Sequence, residues 1–219
     1  MKVKVFMSGP IRPSEEAVLE VIQTLRRQLQ DCVIFLSTWE SPNVSRIKDA
    51  VDYYFESPEP RNEDIANVVT ERTRQQRELG LSDETPGCKY ALYKMLYGVE
   101  NVCKLATPYI EDTDIVMRIR TDSVFLFSPG YVETLLSHAN NSYIARKGDG
   151  FDWFCITTFA NLKRIWCFSS LKEYNNSVYK SWNPEEVIQR RVHIPIVYLD
   201  PSMSEYYIIR ENGRKHYYP

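Results

Sequence analysis

Two arginines and an aspartate alternate with other residues in the segment 115–125, near the middle of the chain. Side chains on a β-strand point alternately to its two faces, so Arg118, Arg120 and Asp122 would share one face of a strand here. Buried guanidinium groups are unfavourable unless a carboxylate or a ligand pairs with them. In open α/β sheets, ligands bind beyond the carboxyl ends of the strands. The segment therefore predicts either a metal-assisted phosphate or diphosphate site, or an internal Arg–Asp ion pair that holds the strand end.

Asp122 is the candidate metal ligand of this site. Mg²⁺ and Mn²⁺ prefer oxygen ligands, and a single carboxylate is enough when a diphosphate supplies further oxygens. The ion and an arginine would stabilise the charge that develops on a leaving phosphate. A second acidic string, Asp112-Thr113-Asp114, also has the spacing of a metal pair. It precedes the strand and should lie at the opposite end of the sheet, so we interpret it as a solvated turn.

The composition limits the classes of function. The 219 residues and formal net charge of −2 fit a single domain over residues 1–219, either whole or excised from a longer protein. Without a basic surplus, a general nucleic-acid binder is disfavoured. No apolar run is long enough to span a membrane, and the apolar start is too short for a signal peptide. Five widely spaced cysteines are typical of reduced thiols, so we expect a cytoplasmic location.

Predicted strands and helices alternate along the first part of the chain. This alternation predicts an α/β fold with a mostly parallel sheet flanked by helices. The predicted strands cover residues 3–7, 33–37, 53–55, 115–125, 143–146 and 194–199. The predicted helices cover residues 14–29, 45–50, 65–79, 90–106, 131–138 and the second half of 152–168, with one more that begins at Asn183.

Several short motifs occur in the order found in WavE-like proteins, which the chain resembles over about residues 3–199. These motifs are the segment 5–12, Leu36-Ser37-Thr38-Trp39-Glu40, Arg118-Ile119-Arg120-Thr121-Asp122, Gly150-Phe151-Asp152-Trp153-Phe154 and Asn183-Pro184-Glu185-Glu186. WavE-like proteins are linked to polysaccharide synthesis and look like glycosyltransferases of the GT-A type, a Rossmann-related fold. The resemblance implies a nucleotide-diphosphate sugar as donor, with a UDP-sugar favoured, a glycan or other hydroxyl acceptor, and Mn²⁺ or Mg²⁺.

The resemblance also implies roles for individual residues. Asp122 falls at the family's D-x-D metal position, where Arg120 replaces the first acid. Arg118 or Arg120 would steady phosphate or orient Asp122. The loops expected to contact the nucleotide contain Ser8, Gly9, Pro10 and Arg12, and Ser37, Thr38, Trp39 and Glu40. The candidates for diphosphate contacts before the metal strand are Arg72, Lys89, Tyr90 and Lys94. The simpler alternatives are a rim or core position for Trp39 and solvated helix charges for the lysines.

Asp149 and Asp152 are the acids in the segment that the resemblance places near the acceptor. One of them could act as a general base on an acceptor hydroxyl if it lies within hydrogen-bonding reach. Apolar neighbours such as Trp153 and Phe154 would raise the pKa of Asp152 towards a useful value. The alternative role for Asp152 is a helix cap.

Two functions of different classes remain open at this point. The first is a metal-assisted glycosyltransferase of the hexosyl or deoxyhexosyl type. The second is a catalytically silent nucleotide- or glycan-binding module, which a metal motif with one acid favours. A nucleotidyltransferase or phosphohydrolase is less well supported, because two-metal enzymes normally show more clustered acids.

Overall fold

The computed structural model describes residues 3–29, 31–41, 44–78, 86–148, 151–168, 183–210 and 213–218, with backbone only for 75–76 and 86–89. The strands are β1 Val3–Ser8, β2 Cys32–Trp39, β3 Tyr53–Ser57, β4 Ile115–Arg120, β5 Ser123–Phe127, β6 Tyr143–Ala145, β7 Phe154–Thr158, β8 Ile196–Tyr198, β9 Ser204–Ile209 and β10 Lys215–Tyr218. The helices are α1 Glu15–Gln28, α2 Ser45–Ala50, α3 Asn62–Glu78, α4 Pro86–Ala106, α5 Tyr131–His138, α6 Phe159–Trp166 and α7 Pro184–Arg191.

The larger sheet has seven strands in the order β3-β2-β1-β4-β7-β6-β8. Strands β3, β2, β1 and β4 are parallel to one another, and β6 and β8 are parallel as well. Strand β7 runs antiparallel to both of its neighbours, β4 and β6. The prediction of an α/β fold with a mostly parallel, helix-flanked sheet is confirmed.

Hydrophobic cores lie on both faces of this sheet. Helices α1 and α5 and the smaller sheet cover one face, whereas α3, α4, α6 and α7 cover the other. Strand β4 follows the predicted alternation: Met117 and Ile119 belong to the first core, and Val116 belongs to the second. Arg118 therefore points into the second layer, beside the side chain of Trp166.

The segment 115–125 is two strands, which corrects the prediction of one continuous strand. Strand β4 ends at Arg120, and a turn at Thr121 and Asp122 carries the chain into β5 of a separate antiparallel sheet, ordered β10-β9-β5. The backbone N–H of Ile209 donates to the carbonyl of Asp122 at 2.9 Å, which continues the pairing of β9 with β5. Asp122 is thus the point at which the chain changes sheets.

The smaller sheet ends at β5, and the side chain of Gln28 covers that edge. The Gln28 amide donates from Nε2 to the carbonyl of Phe125 at 2.6 Å. Its Oε1 accepts from the backbone N–H of Phe127, also at 2.6 Å. One side chain from the end of α1 therefore makes the two hydrogen bonds that a neighbouring strand would make.

Local sequence chemistry accounts for the starts of α1 and α7. Ser14 accepts a hydrogen bond from the backbone N–H of Ala17 at 3.3 Å, and Glu15 and Glu16 occupy the first turn of α1, where the helix dipole favours negative charge. The predicted cap of α7 is also confirmed, with Asn183 before a proline at the first position. None of the helices within the described ranges is both long and apolar enough to cross a membrane.

Three strands were not predicted. Strand β7 lies in the segment 152–168, where the sequence suggested only a helix in the second half, and that helix is α6. Strands β9 and β10 form a hairpin in the charged C-terminal part, on either side of the predicted turn at Gly213. Gly213 has a φ of 68°, as such a turn requires, whereas Asn212 lies outside the described residues.

Candidate functional site

A cleft of about 540 Å³ opens at the carboxyl ends of β2, β1 and β4, where an open α/β sheet binds its ligands. Helix α4 forms one wall, and the start of α7 forms another. The lining residues are Ser8, Gly9, Pro10, Arg12, Trp39, Glu59, Ala91, Leu92, Lys94, Met95, Arg118, Arg120, Thr121, Asp152, Trp153, Asn183, Pro184 and Glu185.

The loop after β1 lies close to helix α4. Gly9 has a φ of 125°, and its N–H donates to the carbonyl of Ser37 at 3.2 Å. A Cβ on Gly98 of α4 would lie 3.8 Å from the nitrogen of Gly9 and 3.5 Å from the ring of Trp39. The hydroxyl of Thr121 donates to the carbonyl of Pro10 at 2.8 Å and ties the loop to the end of β4. Helix, loop and strand end therefore define one edge of the cleft.

Asp122 lies behind the cleft wall in a closed ion-pair network. Arg120 donates to both of its carboxylate oxygens, at 2.9 and 2.8 Å. The Nε of Arg12 lies 3.2 Å from Oδ2, and only 4% of the Asp122 side chain is exposed. The guanidinium of Arg120 also stacks over the ring of Trp153, 5.1 Å from its centroid. The internal ion pair that the sequence left open as an alternative is present.

These surroundings do not suit a divalent cation. Asp122 is the one carboxylate in this network, and two guanidinium groups already neutralise it. Additional positive charge there would meet repulsion from both arginines. Within the described ranges there is no group of three or more His, Cys, Asp or Glu side chains that could hold a metal ion. The assignment of Mn²⁺ or Mg²⁺ to Asp122 stays a prediction, and no step below depends on it.

Arg118 presents the opposite situation, because two of its donors are unused. The residue is 1% exposed, and its guanidinium lies 4.4 Å from the ring centroid of Trp166. Nε and Nη1 have no hydrogen-bond partner among the described residues. Burial lowers the pKa of Arg118, and the negative charge of Asp152 opposes that effect. A buried cation with unpaired N–H groups at a cleft is suited to bind an anionic or hydroxyl-bearing ligand.

Asp152 is the buried acid of the cleft. It is 2% exposed, and its Oδ1 has no hydrogen-bond partner among the described residues. Burial, followed by the negative charge of Glu185, raises the pKa of Asp152 to about 7, although Arg118 acts in the opposite direction. The helix-cap alternative for Asp152 is wrong, because a strand follows it and Thr158 caps α6. Asp152 can therefore exchange a proton near neutral pH.

Glu185 reaches the cleft at the start of helix α7. The side chain of Asn183 accepts hydrogen bonds from the backbone N–H groups of Glu185 and Glu186, at 2.9 and 3.3 Å. Pro184 occupies the first helical position, with its backbone dihedral already restricted to helical values. Glu185 therefore lines the cleft together with Asp152, and its negative charge is one cause of the raised pKa of Asp152.

The outer part of the cleft is a mixture of aromatic and charged side chains. Lys94 of α4 forms an ion pair with Glu59 at 2.6 Å. The rings of Trp39 and Tyr97 lie with their centroids 6.0 Å apart, and Tyr97 is 44% exposed. Trp39 itself is 7% exposed, so it presents little of its ring to the solvent.

Nine of the predicted site residues line this cleft together. They are Ser8, Gly9, Pro10, Arg12, Trp39, Lys94, Arg118, Arg120 and Asp152. Ser37 and Thr38 lie within β2, at most 1% exposed, and are not part of the lining. Asp149 and the side chain of Lys89 fall outside the described residues.

The remaining candidates lie elsewhere. Arg72 is buried on α3, and Tyr90 packs against the core between the larger sheet and its helices. Glu40 is exposed just after β2. Asp112 and Asp114 precede β4, where they pair with Lys163 and Lys4, both at 2.5 Å. These two acids are thus at the opposite end of the sheet from the cleft, as the sequence indicated.

Among the lining residues that sequence reasoning did not assign to the site are two acids and an aromatic residue, Glu59, Glu185 and Trp153. Glu185 was considered only as part of a helix start, and Trp153 only as an apolar neighbour of Asp152. The signal that could have found Glu185 is that it follows a strong cap, Asn183-Pro184, which fixes the backbone of Glu185 at the helix start. Glu59 lies between two prolines and carries no comparable signal.

No protein-family model matches this sequence, and no curated protein matches it either. Solved structures with a similar fold include three named proteins. 4-Diphosphocytidyl-2C-methyl-D-erythritol synthase has a TM-score of 0.49 at 10% identity, over 100% of this chain and 93% of its own. Mouse xyloside xylosyltransferase 1 has a TM-score of 0.45 at 8% identity, over 92% of this chain and 86% of its own. The galactosyltransferase LgtC has a TM-score of 0.44 at 10% identity, over 92% of this chain and 74% of its own.

Because these TM-scores are below 0.5, the likenesses support no argument about function, and that argument depends on the residues of the cleft. The resemblance to WavE-like proteins stays a prediction.

Proposed function

We propose that the cleft binds a nucleotide-diphosphate sugar and transfers the sugar to a hydroxyl group of an acceptor, such as a glycan. The observation that carries this proposal is the pair formed by Arg118 and Asp152 on the cleft. One is a buried cation with unused donors, and the other is a buried acid whose pKa is raised to about 7. Direct displacement of a nucleoside diphosphate by a hydroxyl group uses both functions, a cation for the leaving group and a base for the hydroxyl.

The positive groups of the cleft are suited to the diphosphate. Arg118 offers two donor nitrogens without a partner among the described residues, Nε and Nη1, and Arg120 is held at the cleft by its bidentate contact with Asp122. Guanidinium groups bind phosphate oxygens through paired, charge-assisted hydrogen bonds. In a cleft that excludes water, the same groups would stabilise the negative charge of the leaving nucleoside diphosphate. The preference for a UDP-sugar comes only from the resemblance.

Asp152 is suited to act as the general base. In its ionised form, the unpartnered Oδ1 would accept the proton of an acceptor hydroxyl. The acceptor oxygen then bonds to the anomeric carbon, while the bond from that carbon to the diphosphate oxygen breaks. The electron pair of the broken bond leaves with the nucleoside diphosphate, near the arginines.

The test begins with donor binding. Thermal unfolding is followed with UDP-, GDP- and dTDP-sugars, with and without Mn²⁺, because a ligand that binds only the folded state raises the unfolding temperature. Release of nucleoside diphosphate is then measured with glycan acceptors and with water. We expect one class of donor to stabilise the chain and to release its nucleoside diphosphate. The proposal fails if none of these donors binds.

A silent binding module is the second candidate, and one observation favours it. The carboxylate at the expected metal position is occupied by two arginines, so the part of the chain that the structure describes shows no ready site for the metal of a metal-dependent transferase. A donor that binds but is neither transferred nor hydrolysed, with or without Mn²⁺, would support this candidate.

A further inference from the structure

A row of aromatic rings connects the cleft with the smaller sheet. Trp153 of the cleft lining contacts Tyr206 and Tyr218 edge to face, with ring centroids 5.7 and 5.1 Å apart. Tyr206 of β9 and Tyr218 of β10 lie opposite each other in the hairpin, and their rings stack with centroids 5.1 Å apart. This aromatic row, Trp153, Tyr206 and Tyr218, therefore leads from the cleft onto one face of the β9–β10 hairpin.

Arginines from three different parts of the chain are held against these rings. The guanidinium of Arg120, on β4, lies over the first ring, as described above. Arg146, after β6, lies 4.0 Å from the ring centroid of Tyr206 and donates from Nη1 to its hydroxyl at 2.5 Å. Arg210, after β9, donates from Nη2 to the hydroxyl of Tyr218 at 3.0 Å. Guanidinium groups keep their charge when they pack on aromatic rings, so positive charge follows the aromatic row.

Arg210 has no carboxylate to balance its charge within the part of the chain that the structure describes. The residue is exposed, and the tyrosine hydroxyl that it contacts is neutral. That hydrogen bond uses one of the N–H groups of the guanidinium. The planar guanidinium has paired N–H groups whose geometry matches the oxygens of a carboxylate or a phosphate group. Arg210 is therefore suited to bind an acidic group at the end of the row.

The aromatic row lies beside the proposed base. In the larger sheet, β7 lies on one side of β4, whereas β1 and β2 lie on the other side. The pairing of Ile119 with Phe154 brings Trp153, which precedes β7, beside the end of β4. Asp152 adjoins Trp153 in the chain, and both residues line the cleft. A molecule whose hydroxyl group reaches Asp152 is therefore next to the aromatic row.

We propose that the aromatic row binds an acidic glycan, the acceptor of the transfer reaction, and that Arg210 contacts a carboxylate or phosphate group on one of its sugars. The half-buried rings of Trp153 and Tyr218 give apolar contact area in a fixed orientation, which suits the C–H face of a sugar ring. The unbalanced charge of Arg210 favours an acidic glycan over a neutral one. The role as acceptor rests on the proposed function, whereas the binding of an acidic glycan does not.

Binding is measured by isothermal titration calorimetry on the chain without donor. The first probes are trigalacturonate and galactotriose with the same linkages, which differ only in carrying carboxylate or hydroxymethyl groups. Maltotriose with and without a phosphate group makes the same comparison for phosphate and decides which acidic group is preferred. We expect an acidic probe to bind at least about tenfold more tightly than its neutral partner.

Variants of the hairpin test whether the glycan binds on this face. Arg210→Gln should lower the affinity for the acidic probe by about tenfold and leave the affinity for the neutral probe unchanged. Tyr218→Phe keeps the ring but removes the hydroxyl that holds Arg210, so it should give a smaller loss. Lys215→Gln is the matched control, because it removes the same charge from the opposite face of the hairpin, where Lys215 contacts Glu20 and Tyr207. It should leave both affinities unchanged.

Three results would overturn the proposal. In the first, neither acidic probe binds more tightly than its neutral partner. In the second, Arg210→Gln and Lys215→Gln lose the same affinity, because the effect would then be that of any charge on the hairpin. In the third, a thymidine tetranucleotide of similar charge binds as tightly as trigalacturonate and phosphorylated maltotriose, because the surface would then respond to charge alone.

The acceptor role is tested separately, after donor is added. The acidic trisaccharide should accept sugar with a lower KM than its neutral partner, and Arg210→Gln should raise that KM while kcat and donor KM stay unchanged. Transfer to both trisaccharides with the same KM would contradict the acceptor role and leave the proposed function intact. If the acidic probe binds but no donor is bound or transferred, the proposed function fails, and the result still supports the aromatic row as a glycan-binding site.

Discussion

Two arginine–carboxylate networks lie side by side at the end of β4, and they differ in whether their polar atoms are used. In the closed network, Asp122 is contacted by Arg120 through two hydrogen bonds and by Arg12 at 3.2 Å. In the open network, Arg118 and Asp152 each keep polar atoms without a partner among the described residues. The closed network holds the strand end in place, whereas the open network has polar atoms that can bind a ligand and exchange protons.

The difference has a general physical reason. A buried charge whose hydrogen bonds are all made either stabilises the folded state or has little net effect on its stability. Such a group has no donor or acceptor left for a ligand. A buried charge with unmade hydrogen bonds lowers stability, and a ligand that completes those bonds removes this penalty. The candidate chemistry of the chain therefore lies in the network that folding leaves incomplete.

The largest expected effect is on transfer by Asp152→Asn. The amide cannot accept the proton of a hydroxyl as a base, so we expect kcat to fall by roughly 10²–10⁴-fold. Donor binding should change little, since the arginines remain. Nucleoside diphosphate release and thermal shifts measure the two effects. Transfer at the parental rate by Asp152→Asn would remove Asp152 from the mechanism and leave Asp149 as the candidate base.

The same variant should change how stability depends on pH. The pKa of Asp152 is raised to about 7 in the folded chain, against an ordinary value near 4 when unfolded. The protonated form of Asp152 therefore stabilises the folded chain fully below about pH 4, and this stabilisation is lost as the pH rises through about 7. Between about pH 4.5 and about pH 8, the parent protein should lose on the order of 3 kcal/mol relative to Asp152→Asn. Urea unfolding at both pH values measures the difference, and an equal difference at both would contradict the raised pKa.

Asp122→Asn tests the closed network. Removing the charge leaves Arg120 without its ion-pair partner at the strand end, so we expect a loss of about 2–3 kcal/mol in the free energy of unfolding, less than for a fully buried pair because Arg12 is half exposed. Asp112→Asn, in an exposed pair with Lys163, is the control and should have almost no effect. If Asp122→Asn unfolds like the parent protein but loses Mn²⁺-dependent donor binding, then Asp122 is a metal ligand after all.

Arg118→Met gives the smallest expected effect and separates the two networks most directly. Methionine keeps the apolar contact with Trp166 and removes a buried cation whose donors are unused, so stability should be unchanged or higher. Donor affinity should fall by about tenfold, the loss expected for one charge-assisted contact. Arg120→Met should instead destabilise the chain, because it breaks the contact with Asp122. Equal stability losses in the two variants would show that the networks do not differ as described.

The sequence indicated the parallel sheet because local periodicity and strand–helix alternation carry that information. The alternation of Met117, Arg118 and Ile119 was enough to assign the two faces of β4. The end of β4 was not predictable in the same way. Thr121 and Asp122 continue the pattern of alternating residues, and only the distant strand β9 draws the following residues into another sheet.

The site was predictable where a residue follows a strand directly, and less so elsewhere. Ser8, Arg12 and Arg120 adjoin the ends of β1 and β4, so chain order alone places them at one edge of the sheet. Glu185 reaches the cleft from a helix far along the chain, and its distance from Asp152 depends on tertiary packing that no local pattern encodes. For the same reason the sequence could not decide which arginine Asp122 would pair with.

The amide of Gln28 has a consequence beyond the fold of one molecule. Strand β5 is the edge of the smaller sheet, and an edge strand with free N–H and C=O groups is a template for pairing with another chain. Gln28 occupies the carbonyl of Phe125 and the N–H of Phe127. A single side chain thereby protects this edge against intermolecular β-sheet formation, the route by which exposed strands begin to aggregate.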